Sequence, residues 1–256
     1  MKGLYVVYRK EMYRLFASPI FYVVAFIFLA LVGYFFYSSV AYYSLLSFQA
    51  GTNPFLSQQL NLTDMVLEPF FGSISIILLL MVPLITMRLF AEEKKTGTAE
   101  LLFTYPISDL GAVLGKFFAG FTVLLILLLG TLPAMLLLEI LTDPPWATIL
   151  GCYVGLFLMS SAFVSLGLFA SSLTENQIIA AAIAFGALLL LWIIGWTESL
   201  VAPTLGSFFK YLSLLTHYDN FAKGIMDSRD VLFYCLFIVF FLFTTLRILE
   251  SRQWRG

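Results

Sequence analysis

The sequence predicts an all-α integral membrane protein: six transmembrane helices, an N-terminal interfacial amphipathic helix, a water-facing helical segment between spans 2 and 3, and outer interfacial or re-entrant helices between spans 5 and 6. Three observations carry this prediction. Of 256 residues, 61% are hydrophobic and 11% charged, against about 25% charged in soluble domains. The apolar residues fall into six nearly uncharged stretches, most of them close to the roughly 20 residues needed to cross a bilayer. The cations are also unevenly spread, since 11 of the 14 Lys and Arg fall on one side of the six-span layout.

Met1 to Ser18 sets Lys2, Arg9, Lys10 and Arg14 among Leu4, Val7, Tyr8, Met12 and Leu15. The pattern suits a helix lying along the membrane, with Glu11 intruding on the apolar side. Pro19, in a position that starts helices well, opens span 1, about 20–37. Its uncharged stretch exceeds the 7–15 residues of a signal-peptide core, so it is read as an uncleaved span. Tyr42 to Glu68, without Lys or Arg, reads as an outer loop. Span 2, about 69–87, contains Pro83 and ends at Arg88.

Residues 90–109, FAEEKKTGTAELLFTYPISD, form the largest charged interruption. Glu92 to Lys95 extend the preceding helix into water. Thr96-Gly97-Thr98 offers a break and a new N-cap, Ala99 to Phe103 another turn or two, and Tyr105-Pro106 a stop. The charges and caps suit a solvated connector, whereas Leu101, Leu102 and Phe103 beside them suit a docked partner.

Span 3, about 111–138, has Lys116 near its inner end, able to snorkel, and Pro133 near its outer end. Span 4, about 146–168, carries Gly151, Gly155, Ser160, Ser161 and Ser165, small residues that let helices approach. Span 5, about 177–196, presents Ala180, Ala184 and Ala187 on a smooth face that suits a subunit contact. Residues 197–230 are too polar to cross yet rich in Phe, Tyr and Leu, and span 6, about 231–246, is short, aromatic and anchored by Arg247, Arg252 and Arg255. The charge split places both termini and the 90–109 segment in the cytoplasm. With no repeat and no low-complexity linker, residues 1–256 read as one membrane domain.

Catalytic constellations do not emerge. GAVLGKF at Gly111–Phe117 is one residue short of P-loop spacing and has Phe117 where Ser or Thr should bind magnesium. His217, the sole histidine, suits an interfacial hydrogen-bonding role, with a proton switch as the alternative. Cys152 and Cys235 show no metal or disulfide spacing. A net charge of −1 argues against a nucleic-acid partner.

The stretch EEKKTGTAELLFTYPIS resembles the cytoplasmic coupling segment of type-2 ABC transporter permeases, in which an E-x-E-x-x-G-T-x-E-x-L-L pattern leads through proline into the third span. Glu92, Glu93, Gly97, Thr98, Glu100, Leu101, Leu102 and Pro106 match it, with Phe103 completing the apolar cluster. LTHYDNFAKGIMDSRDVLFY and RILESRQWR are similar to the gliding-motility and copper-processing branch. The resemblance implies a bacterial inner-membrane exporter permease whose finger docks on separate ABC ATPase subunits. It implies ATP and magnesium bound by those subunits and no cofactor in this chain. A second permease copy or a relative would pair with it, with dimer contacts near Ala180, Ala184 and Ala187, and an additional envelope subunit is compatible. Two functions stay open: an exporter half, or a scaffold that passes ATPase motion to an envelope machine without transport.

Overall fold

The computed structural model describes residues 2–51, 60–98, 108–200 and 203–253. They are almost wholly helical, with no strand among them. Helix α1 (Lys2–Ala17) turns at Ser18 into α2 (Pro19–Ala50), and a π-helical turn at Thr63–Leu67 leads into α3 (Glu68–Thr86) and α4 (Arg88–Lys95). After residue 108 come α5 (Asp109–Leu129), α6 (Leu132–Leu141), α7 (Trp146–Leu173) and α8 (Gln177–Ile193). A 3-10 turn at Ile194–Leu200 precedes α9 (Pro203–Leu212), α10 (Leu214–Ala222) and α11 (Ser228–Gln253). Six helical stretches are long and apolar enough to cross a membrane. An even number returns the chain to the side on which it began. The side bearing α1, α4 and the end of α11 is called here the terminal face, and the other the distal face.

Several boundaries differ from expectation. Span 1 continues to Ala50 rather than ending near Tyr37, because nothing between Gly33 and Gly51 breaks a helix and the Ser44 hydroxyl bonds back to Ala41. Its 32 residues extend about 48 Å at 1.5 Å per residue, well past the hydrocarbon layer. The stretch expected as a loop, Tyr42 to Glu68, therefore includes the last turns of α2 and the π-helical turn. Span 3 is interrupted at Gly130–Thr131, where Pro133 restarts it as α6 and Thr131 Oγ1 meets Tyr153 Oη at 2.8 Å. Span 6 runs from Ser228 to Gln253 and is longer than the sequence suggested.

Span 4, helix α7, is the centre. In its most apolar stretch 72% of residues are buried, against 22% for spans 1 and 5 and 11% for span 6. Its small residues make this possible. A side chain at Gly167 would strike Thr86 Oγ1 at 2.2 Å, and one at Gly155 would strike Phe221 Cβ at 2.5 Å. Ser160, Ser161 and Ser165 donate to carbonyls three or four residues back in α7, so these serines pack and reach no reactive partner.

On the distal face, α10 is tucked against α7 through Phe221, and Gly224, at φ +77°, brings the backbone close to Gly151. Gly155 lies nine residues into α7, roughly 14 Å along its axis, so α10 packs along the helix and not only at its end, while α9 exposes Leu205, Phe208 and Tyr211. Of the two outer helices, α10 is the more buried and α9 the more exposed. His217 of α10 is buried. Its Nδ1 lies 2.6 Å from Asp230 Oδ1, its Nε2 lies 3.0 Å from the Tyr211 carbonyl oxygen, and its ring stacks on Phe233. The histidine fastens α9 and α10 to the start of span 6.

Candidate functional site

The described residues place their densest buried charge at the root of the 90–109 segment. Helix α1 lies along the start of α5, with Gly111 and Gly115 beneath it. A side chain at Gly115 would sit 2.9 Å from Val7 Cβ and 3.0 Å from the Leu4 carbonyl, so only glycine permits this approach. The Gly111–Phe117 motif is thereby explained as a helix-packing face. Lys116 follows directly and points under α1 at Glu11.

Lys116 Nζ is 2.8 Å from Glu11 Oε1 and 2.8 Å from Glu93 Oε2, donates to the Leu89 carbonyl, and lies 4.9 Å from the Phe90 ring centroid. Its side chain is fully buried, as is that of Glu11, and Glu93 is nearly so. Lys10 reaches Glu93 Oε1 at 2.7 Å, and Arg14 Nη2 reaches Glu11 Oε2 at 2.9 Å, at ion-pair distance but off the hydrogen-bond direction. The expectation that Lys116 snorkels to water is corrected. Helix α1 closes its way out, and two carboxylates bring the counter-charge inside. A buried ion of this kind persists only if paired and hydrogen-bonded, and its use lies in fixing one arrangement more than in adding stability.

The other side of α4 is held by span 4. Helices α3 and α4 meet at Met87, a single residue between them that keeps helical dihedrals and leaves nearby backbone groups open to a side chain. Ser171 Oγ takes them over, accepting from the Phe90 and Ala91 amides at 3.0 Å each and donating to the Met87 carbonyl at 2.9 Å. Lys94 Nζ donates to the Ser172 carbonyl. The junction lies one turn beyond Pro83 and is bonded by a neighbouring helix.

Among the residues singled out in the sequence, Glu92 is half-buried on α4 and Glu93 belongs to the ion cluster. Gly97 adopts φ +68°, the left-handed conformation that ends α4, with Thr98 exposed beyond it. Glu100, Leu101, Leu102, Phe103 and Pro106 lie outside the described residues. Ser108 caps α5 by accepting from the Gly111 amide at 3.2 Å.

Ala180 and Ala184 differ from expectation. Both are buried inside this chain and Ala187 is half-buried, while Ile178, Ile179, Ile183 and Leu190 face outward. Small side chains let α8 settle against α7 and α3, and Ala180 and Ala184 keep no surface for a second copy.

The described residues thus present six helices apolar and long enough to span a membrane, an N-terminal helix locked to span 3 by buried charge, and a helical segment leaving that lock. A family model described as ABC-2 family transporter protein matches residues 5–253. The chain belongs to the ABC-2 transporter family. No curated protein matches it. As an ABC-2 family member it is a multi-pass membrane subunit of an ABC transporter rather than itself an enzyme, and subunits of this family typically work with ATPase subunits. Lys10, Glu11, Lys116 and Ser171 were not among the residues expected to act. Only Glu11, a charge on the apolar side of α1, signalled its burial in advance.

Proposed function

We propose that this ABC-2 subunit couples ATP hydrolysis in a separate ATPase chain to export, or to other conformational work, across a bacterial cytoplasmic membrane. In this reading the terminal face is cytoplasmic, which the 11 to 3 division of cations supports. ATP and magnesium belong to the ATPase, and a second permease copy or a relative completes the membrane unit. The gliding-motility-like ending of the sequence favours an envelope system of that kind, with room for a further envelope subunit.

The observation that carries the reading is the buried Lys116 cluster. A solvated connector has no use for a fully buried ion network at its root, whereas a segment that receives force needs a stiff joint to the spans. Force arriving at α4 passes through Glu93 and Lys116 to span 3 and α1, and through Ser171 to span 4.

The test uses the full transporter with its ATPase. Glu100→Lys and Leu101→Asp are expected to release or uncouple the ATPase, since breaking a desolvated charged contact costs on the order of 2 to 5 kcal/mol, roughly 30-fold or more in affinity. Lys210→Glu, between spans 5 and 6, is expected to leave it bound. Normal co-purification and normal ATP turnover in both finger variants would refute the docking reading. ATP-dependent flux in sealed vesicles supports export, and turnover without flux supports mechanical work.

A further inference from the structure

A pocket opens toward lipid where α1 turns into span 1 beside the end of span 2. Its walls are Leu15, Phe21, Val24, Leu84 and Ile85, and its polar rim is Ser18 and Arg88. Ile20 and Leu84 are 43% and 40% exposed at the mouth, so the opening faces the region that acyl chains fill.

The rim is short of negative charge. Arg88 Nη1 donates to Ser18 Oγ at 2.9 Å, while its Nε is buried without a hydrogen-bond partner. Among the described residues no carboxylate pairs with Arg88. Arg14 Nη2 donates to the Arg88 backbone carbonyl at 3.1 Å, and its charge is matched by Glu11. The neighbouring ion network joins three cations, Lys10, Arg14 and Lys116, to the two carboxylates of Glu11 and Glu93, so it offers Arg88 no spare negative charge. Ser18 Oγ accepts from Arg88 and makes no cap bond to α2, so the positive end of a 32-residue helix lies beside the same rim.

We propose that this pocket is a binding site for one anionic phospholipid, its phosphate on Arg88 and one acyl chain along Phe21, Val24 and Leu84. A half-buried guanidinium at the rim, bonded to one hydroxyl and with no carboxylate partner among the described residues, calls for an anion. The apolar walls, opening sideways below the rim, require that the anion carry a chain. Basic pockets between spans at a membrane boundary bind lipid headgroups by this combination. The occupant would also wedge the α1–α2 turn against span 2, next to the Lys116 cluster.

The test is native mass spectrometry of the full chain in detergent, titrated with phosphatidylglycerol and with phosphatidylcholine of the same chains. Phosphatidylglycerol is expected to bind first. Arg88→Gln is expected to weaken it about tenfold, the loss of a charge-assisted hydrogen bond. Ile20→Trp, which fills the mouth at an exposed position and keeps the arginine, is expected to weaken it by a similar factor. Arg247→Gln, an exposed arginine on span 6, is expected to change nothing. Equal uptake of the two lipids would overturn the proposal, as would undiminished binding in Ile20→Trp. Displacement of the lipid by glycerol 3-phosphate at equal concentration would assign the rim to free phosphate and overturn it as well.

Discussion

Replacing Lys116 by Met keeps the length of the side chain and removes the cation shared by Glu11 and Glu93. Removing one partner of a buried pair costs about 3 to 5 kcal/mol, because the charge left behind is uncompensated. Here Glu93 keeps Lys10 at 2.7 Å and Glu11 keeps Arg14 at 2.9 Å, so the lower end, about 3 kcal/mol, is expected. For a chain of this size that lowers the unfolding midpoint by roughly 6 to 12 °C, which thermal unfolding in detergent would read. The triple variant Glu11→Gln, Glu93→Gln, Lys116→Met separates stability from transmission. With no charge left in the centre it is expected to recover most of the lost midpoint, yet to leave ATP turnover in the assembled transporter uncoupled, since the stiff joint is gone. A single variant that melts within about 1 °C of the parent would refute the burial argument. A triple variant that is both stable and fully coupled would refute the transmission argument.

Ser171→Ala removes the one hydroxyl that serves the Phe90 and Ala91 amides and the Met87 carbonyl. It is expected to cost about 2 kcal/mol, read as a lower unfolding midpoint, whereas an unchanged midpoint would mean that other groups bond the junction. Gly115→Val forces α1 away from α5 and is expected to cost about 1 to 3 kcal/mol by overpacking and to speed proteolysis within α1; protection equal to the parent would contradict the close approach. In intact cells, a cysteine at Thr204 is expected to react with an impermeant thiol reagent and one at Thr98 to stay unlabelled, and the reverse would invert the orientation.

Much of the fold could be read from the chain because lipid imposes one rule on every span: apolar surface outside and every backbone group bonded within. That rule gave the six spans and the interfacial helix, and Thr96-Gly97 announced the end of α4 through its turn chemistry. The rule is silent about which helix lies against which. Lys116 reads as a snorkelling lysine because its two carboxylates stand 105 and 23 residues away, on other helices. The alanines of span 5 read as a subunit face, yet Ala180 and Ala184 are buried within this chain, since a smooth face serves a neighbour in the same chain as readily as one in another. The far end of α2 was missed through composition, because Tyr42, Tyr43 and Ser44 are polar enough to suggest a loop yet contain nothing that stops a helix.

The junction at Met87 is a property of two helices at once. Span 2 supplies the backbone groups, but the hydroxyl that bonds them belongs to span 4, which is registered against the same place by Gly167 meeting Thr86. The direction in which α4 leaves the membrane is therefore set from outside its own span. Should span 4 slide or rotate by the length of a hydrogen bond, Ser171 could no longer serve all three groups, and α4 would have to swing to a new heading. The central helix thus holds the root of the 90–109 segment from the side, tying it to the middle of the bundle as firmly as Glu93 ties it to span 3.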